Sequence, residues 1–202
     1  MNRREIKHVQ RRIGVKPDGF WGPISTAGAA AHLRGLMNDS GASWPTQGEV
    51  RTNRSIYGRR GFHGGPHPPG ERIELPFSLQ LYGDAHRPVH SLYIHPVCAT
   101  AYAVAFDYLA DEFPTTARRR AAGILNYFGV YNPRNARGSS AASMHAYRLA
   151  LDLDANNNRN RSHWPTASSM PIEVMECFAM AGILPAGAFW SRDAMHFQAT
   201  IS

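Results

Sequence analysis

A stretch rich in glycine and proline divides this chain of 202 residues into parts of different character. Residues 38–72 are rich in Gly, Pro, Ser, Asn and Arg and show neither helical nor strand periodicity, which is typical of a linker or a long surface loop. Loops of this length usually join domains or carry function. We therefore predict a small helical unit over residues 1–37, a connection over 38–72, and a larger domain over 73–202.

The residue pattern of the first unit predicts two helices joined by a turn. Apolar residues recur at helical spacing in residues 2–13, and a proline suits the start of a second helix that runs to about Leu36. Asp18-Gly19 between them predicts a tight turn. Phe20 and Trp21 follow this turn, and the pattern leaves two roles open for them: stacking on a ligand or filling the small core.

The larger domain mixes strand and helix patterns without a βαβ rhythm, which predicts an α+β fold. The predicted elements are strands within 73–95, helices over 96–113 and 115–128, a strand over 146–153, a helix over 171–182 and a final strand over 195–201.

Charge narrows the possible partners. The chain has 22 Lys and Arg against 15 Asp and Glu, a net charge of +7 that suits nucleic acid, an anionic membrane or an acidic cell-wall polymer. The sequence contains none of the usual nucleic-acid-binding motifs and no apolar run long enough for a membrane span. No apolar signal-peptide core follows the basic start, so we expect synthesis in the cytoplasm. Cys98 and Cys177 lie in apolar segments without metal-binding spacing, which indicates buried thiols.

Two short segments carry the inventory of a metal hydrolase. His145 precedes Asp152 by seven positions, and Asp193 precedes His196 by three. An odd separation places two residues of a strand on opposite faces, so joint ligation requires His145 to lie in a turn before the strand that holds Asp152. Three such N/O ligands leave a coordination position open, and a separate carboxylate such as Asp193 can accept a proton from water.

Each segment alone is more often structural than catalytic, and no HExxH motif is present. An arginine from YNPRNARG, residues 131–138, can stabilise developing negative charge. Taken together and in order, SMHAYRLALD and the later DAMH resemble the M15 family of zinc peptidases, which cleave D-Ala-D-Ala or L-Ala-D-Glu bonds in peptidoglycan. The phage endolysin branch is the most similar.

The resemblance implies roles for individual residues. It implies one Zn²⁺ on His145, Asp152 and His196, with Asp193 as the general base and Arg134, or Arg137 in reserve, polarising the substrate carbonyl. It further implies substrate contacts from Ser143 and Tyr147, and a small antiparallel sheet flanked by helices around the zinc site. Trp190, which lies just before Asp193, is a further candidate for a substrate contact. Arg148 departs from the family, which has glycine at that position.

The first unit, with VQRRIGVKPDGFWGP, resembles a helical peptidoglycan-binding module, which implies wall contacts at Asp18, Gly19, Phe20 and Trp21. We therefore expect a monomeric phage-type endolysin that acts on the cell wall after the membrane is permeabilised. The L-Ala-D-Glu bond is its expected cleavage site. A D-Ala-D-Ala carboxypeptidase and a non-catalytic wall-binding protein are the alternatives. Peptidoglycan is the expected partner, rather than nucleic acid or a membrane into which the protein inserts.

Overall fold

Helices and strands follow one another in mixed order along residues 1–201, which the computed structural model describes except for the side chain of Ala85. The helices are α1 (Arg3–Arg12), α2 (Pro23–Asp39), α3 (Gln47–Thr52), α4 (Arg54–Tyr57), α5 (Pro96–Glu112), α6 (Thr116–Ala121), α7 (Ile172–Met180) and α8 (Ala186–Phe189). The strands are β1 (Glu71–Leu81), β2 (Asp84–Ile94), β3 (Asn126–Gly129), β4 (Ala150–Leu153), β5 (Leu184–Pro185) and β6 (His196–Gln198), and a 3₁₀ turn covers Met144–Tyr147.

One mixed sheet organises the fold. Its strand order is β2-β1-β3-β4-β6-β5, and β1 pairs with β3 in parallel while the other neighbours are antiparallel. The predicted α+β class is therefore confirmed, with one parallel pair that the sequence pattern does not indicate. Helices α5 and α7 pack on each other and cover the sheet. The aromatic ring of Phe178 on α7 stacks on the ring of Phe197 on β6.

The helix expected over 115–128 ends early, at Ala121. Gly123 follows with a φ of +77°, and a Cβ there would lie 2.5 Å from Asp154 Oδ2. This left-handed residue turns the chain so that Asn126–Gly129 enters the sheet as β3. The first half of the strand expected over 146–153 is likewise a 3₁₀ turn, because Arg148 has a φ of 60° and breaks the extended backbone.

The segment 38–72 contains two short helices that its composition does not predict. Thr46 and Glu49 form a capping box at the start of α3, in which each side chain bonds the backbone of the other residue. Val50 and Tyr57 are buried in the main core. The segment is therefore anchored to the rest of the chain by apolar burial as well as by its ends.

The first helices pack against the larger domain. Helix α2 lies on α7, and Val9 and Leu33 belong to the same hydrophobic core as the sheet. The buried Glu176 of α7 bonds both Arg12 and His32. The division into 1–37, 38–72 and 73–202 stays a prediction, and these contacts describe how its first part meets its last. Across residues 1–201, no helix combines the length and apolarity that crossing a bilayer requires.

Candidate metal centre

Three side chains converge at the centre of the sheet. His145 lies on the 3₁₀ turn, Asp152 on β4 and His196 at the start of β6. Asp152 and His196 are direct partners in the antiparallel β4–β6 pair, which places their side chains side by side. The sequence requirement that His145 precede the strand, with Asp152 inside it, is met because Ser143 caps the 3₁₀ turn and Arg148 ends it.

The three candidate ligand atoms face one another. His145 Nε2 lies 3.1 Å from Asp152 Oδ1 and 3.2 Å from His196 Nδ1, and His196 Nδ1 lies 3.0 Å from the same Asp152 oxygen. Within the described residues these side chains form a group that can hold a metal ion. Both histidine side chains are buried, so the ligand atoms are held in place by packing.

A backbone carbonyl sets the tautomer of His145. Its Nδ1 lies 2.8 Å from the Val130 carbonyl oxygen, and a carbonyl can only accept, so Nδ1 carries the proton and donates it. In the neutral ring, Nε2 is then left with a lone pair that points at Asp152 and His196. This is the arrangement in which a metal-binding histidine is held by an outer hydrogen bond.

A side-chain amide sets the tautomer of His196. Gln198 Nε2 donates to Thr200 Oγ1 at 2.7 Å and lies 3.5 Å from the Thr200 carbonyl oxygen, so its Oε1 faces His196. His196 Nε2 donates to that oxygen at 3.0 Å, which leaves Nδ1 with the lone pair. In their neutral forms the two histidines, together with the carboxylate, present three acceptor atoms to one point, and a cation is the group that satisfies them together.

In the absence of a metal, the charges of the three side chains stabilise one another. Burial alone would raise the pKa of Asp152, but the two histidines outweigh it and hold that pKa well below its ordinary value. Burial alone would lower the pKa of His196, and the hydrogen bond and charge of Asp152 raise it instead. Asp152 is thus ionised at neutral pH, as a metal ligand must be.

Asp193 lies beside these residues with one oxygen unused. Asn160 Nδ2 donates to its Oδ2 at 3.1 Å, whereas the buried Oδ1 has no hydrogen-bond partner among the described residues. Burial raises the pKa of Asp193, and the nearby charge of Asp152 adds to the rise. Its φ of +61° lies in the left-handed region, which aspartate adopts more readily than most residues that carry a side chain.

A cavity of about 320 Å³ opens over Asp152 and His196, whereas His145 is outside its lining. Asp152, Asp193 and His196 line it together with three arginines, which are Arg134, Arg137 and Arg192. Arg134 is half-buried, and its carbonyl oxygen accepts a hydrogen bond from Ser143 N at 3.1 Å, whereas Arg137 is exposed. Both predicted arginines therefore reach the cavity, and Arg134 is held more firmly.

The predicted substrate contacts divide between two cavities. Ser143 and Trp190 line the cavity above the histidines, and the indole ring of Trp190 stacks on the imidazole of His196 with ring centres 5.5 Å apart. Tyr147 is buried and lines a neighbouring cavity instead. Arg148 is outside the lining of the cavity above Asp152 and His196, and its guanidinium lies over the rings of Tyr131 and Tyr93.

The residues expected to contact the wall form a turn held from below by Gln10. The buried Gln10 side chain bonds the Asp18 carboxylate at 3.0 Å and the Gly19 N–H at 2.8 Å. Phe20 is 68% exposed, with Arg3 over its ring, while Trp21 packs edge-on against Trp164. Of the two predicted aromatic contacts, the structure leaves Phe20 facing solvent and partly covers Trp21. A shallow cavity of about 270 Å³ lies along this turn.

Two residues of the site are absent from the sequence prediction. Gln198 stands two positions after His196 on a strand, so the same-face rule would have indicated it as a neighbour. Asn160 lies in an irregular loop, and no periodicity connects it with Asp193 across 33 positions of sequence.

Comparison with known proteins agrees with this geometry. A family model described as D-alanyl-D-alanine carboxypeptidase, from the M15 peptidases, matches residues 137–199. The matched segment includes both histidines, Asp152 and Asp193, and it supports a metallopeptidase of the M15 family that acts on peptidoglycan. Searches of curated proteins and of solved structures gave no match.

Proposed function

We propose that this protein is a zinc-dependent peptidase of the phage endolysin type, which hydrolyses the stem peptides of peptidoglycan. The observation that carries the proposal is the buried Oδ1 of Asp193, which has no hydrogen-bond partner among the residues described and lies beside three converging acceptor atoms. A metal centre alone is compatible with a structural role. A second carboxylate, desolvated and with an oxygen unused, is the feature that hydrolysis needs and a structural site does not.

Zinc is the metal that this donor set fits best. Two imidazole nitrogens and one carboxylate oxygen form a typical catalytic zinc set, which leaves a fourth position for water or substrate. Ligand atoms about 2.0–2.1 Å from a tetrahedral zinc ion lie about 3.3 Å from one another. The distances of 3.0–3.2 Å between the present ligand atoms are close to that value.

The side chains have distinct tasks in the proposed reaction. Zinc, when bound, supplies Lewis acidity that polarises the scissile carbonyl and favours deprotonation of water. Asp193 Oδ1 accepts the proton of the attacking water and delivers it to the leaving amine. The raised pKa of Asp193 makes the carboxylate a stronger base for the first transfer and a competent acid for the second.

Arg134 is the proposed electrostatic partner of the carbonyl oxygen. Its charge lies in the same cavity as Asp193 and stabilises negative charge as the tetrahedral intermediate forms. The Arg134 guanidinium donates to the Asn135 carbonyl and the residue is half-buried, whereas Arg137 is exposed, which supports this choice over Arg137. Ser143 and Trp190 form the walls against which the peptide is positioned.

The bond between L-Ala and D-Glu is the proposed cleavage site, and the bond between D-Ala and D-Ala is the second candidate. The second candidate is favoured by the printed description of the matching family model. The first is favoured by the sequence resemblance to the endolysin branch and by the turn at Asp18–Trp21, whose exposed Phe20 and neighbouring cavity provide a surface for sugar rings or stem peptide. Wall binding by this turn is part of the proposal, as is action of a monomer on the wall once the membrane is permeabilised.

Mass spectrometry of digested, purified peptidoglycan tests the proposal. Incubation with zinc-loaded protein is expected to create new N-terminal D-Glu residues, whereas release of free D-alanine would identify the carboxypeptidase. The Asp193→Asn variant, loaded with the same amount of zinc, serves as the matched control. Stem peptides that remain intact after incubation would refute the peptidase.

A further inference from the structure

A second cavity, of about 350 Å³, lies beside the catalytic one and is lined by four arginines. They are Arg51 of α3, Arg54 of α4, and Arg59 and Arg60 of the following loop. We refer to this group as the arginine cavity. Phe62, which is 51% exposed, supplies an apolar part of its wall.

The charges of the arginine cavity are not neutralised within residues 1–201. None of the four arginines forms an ion pair there, and no acidic residue lines the cavity. Arg51 donates to the Ala142 carbonyl and to Gln47, and Arg60 donates to Asn135 Oδ1 at 2.8 Å. These bonds fix two guanidinium groups in place, while Arg54 and Arg59 are exposed. Fixed, uncompensated guanidinium groups around a concavity favour binding of an anion.

Residues that line the arginine cavity are linked to residues of the catalytic cavity by hydrogen bonds and by their positions in the sequence. Gln47, which accepts from Arg51, lines the catalytic cavity. Asn135, which accepts from Arg60, lies between two residues that line the catalytic cavity, Arg134 and Ala136. Ala142 lines the arginine cavity, and the next residue, Ser143, lines the catalytic one. An extended ligand that occupies the catalytic cavity is therefore placed to reach the arginines.

We propose that the arginine cavity binds a carboxylate of the substrate's stem peptide, at a position beyond the scissile bond. This inference rests on the proposed function, because it takes the stem peptide as the ligand. Cleavage between L-Ala and D-Glu leaves the free α-carboxyl of D-Glu and the residues after it on the leaving side. A planar carboxylate matches the paired N–H groups of a guanidinium.

Binding measurements test the subsite separately from catalysis. The full chain with Asp193→Asn is titrated with a stem tetrapeptide whose D-Glu carries a free α-carboxyl, and with the same peptide amidated at that position. Arg54→Gln with Arg59→Gln is expected to weaken binding of the acidic peptide about tenfold and to leave binding of the amidated one unchanged. The control pair is Arg118→Gln with Arg120→Gln on α6. It removes the same amount of charge at positions outside both cavities, and it is expected to change neither affinity.

Two results would overturn the proposal. One is an equal loss, or no loss, of affinity for the two peptides in the Arg54 and Arg59 variant. The other is binding of inorganic phosphate that depends on these arginines while the acidic peptide binds independently of them, which would make the cavity a phosphate site. If the wild-type protein cleaves no bond but charge-dependent peptide binding follows the expected pattern, the peptidase proposal fails and the carboxylate subsite stands.

Discussion

The amide nitrogen of Asn160 donates a hydrogen bond of 3.1 Å to Oδ2 of Asp193, and the other carboxylate oxygen is buried with no hydrogen-bond partner in the described part of the chain. This contact restrains the plane of the carboxylate, because it is the one side-chain hydrogen bond that the group makes within the described residues. It also separates the two oxygens by task, since one is held and the other is available for a proton. The general-base assignment depends on this asymmetry more than on the position of Asp193 in the sequence.

The Asp193→Asn substitution is expected to abolish most turnover while keeping the fold and the metal. Asparagine has the same shape, and its carbonyl oxygen can still accept from Asn160, but it cannot take a proton from water. Loss of a general base reduces rates by about 10²–10⁴-fold. Peptide release from purified cell wall measures the rate, and metal analysis of the same preparation measures zinc. Turnover at the wild-type rate in a zinc-loaded variant would exclude Asp193 as the base.

Removal of the amide that orients His196 is expected to weaken metal binding. Gln198→Leu leaves His196 Nε2 without its acceptor, so the ring loses the tautomer that presents Nδ1 to the metal. Zinc affinity is expected to fall about 10–100-fold, measured by competition with a chromophoric chelator. Gln198→Glu keeps an acceptor oxygen at the same position and serves as the control. Equal affinity in the leucine and glutamate variants would remove Gln198 from the metal site.

The ligand set could be predicted from sequence because a strand rule restricts it strongly. An odd spacing between His145 and Asp152 demanded a turn before the strand, and the structure places a 3₁₀ turn there. The outer contacts could not be predicted in the same way. The Val130 carbonyl approaches His145 from 15 positions away, and Asn160 approaches Asp193 from an irregular loop. Such contacts depend on tertiary packing, for which residue periodicity carries no signal.

The element pattern failed where local conformation overrode apolar spacing. Ile124, Leu125 and Phe128 have helical spacing, yet the left-handed Gly123 redirects them into and beside β3. Glycine composition likewise suggested that residues 38–72 lack regular structure. A capping box at Thr46 was enough to start α3, and burial of Val50 stabilised it. Caps and left-handed residues act over a few positions, so a prediction from the apolar periodicity of longer segments misses them.

Zinc is expected to stabilise the fold, because its ligands come from three separate elements. Zinc at about a thousand times its dissociation constant adds about 4 kcal/mol to the free energy of unfolding. For a chain of this size that corresponds to a rise in Tm of roughly 10 °C, measured by scanning calorimetry with zinc and with a chelator. Asp152→Asn is the control, since it removes a charged ligand and keeps the side-chain shape. A Tm that responds equally to zinc in both proteins would place the bound metal elsewhere.

The backbone at Arg148 predicts an inverted ranking of glycine and alanine. Its φ of 60° is costly for a residue with a Cβ, by about 1 kcal/mol. Arg148→Gly and Arg148→Ala both lose the contacts with Tyr131 and Tyr93, so the difference between them isolates the backbone. The glycine variant is expected to be more stable by about 1 kcal/mol in urea unfolding. At Arg120, inside α6, alanine is expected to be the more stable by about the same amount. Alanine ranking first at both positions would contradict the left-handed backbone.

Glu176 predicts how firmly the first helices are attached to the rest of the chain. Its buried carboxylate bonds Arg12 of α1 and His32 of α2 from α7, so Glu176→Ala removes two contacts between the predicted module and the predicted peptidase domain. The free energy of unfolding is expected to fall by about 2 kcal/mol, which is less than for a fully enclosed pair because Arg12 remains partly exposed. Glu74→Ala is the matched control, because its exposed pair with Arg72 contributes well under 1 kcal/mol.

Urea unfolding of the Glu176→Ala variant is expected to remain one cooperative transition, shifted as a whole, because Val9 and Leu33 share the core of the sheet. Two transitions, of which only the less stable one moves, would instead mean that residues 1–37 fold as an independent module.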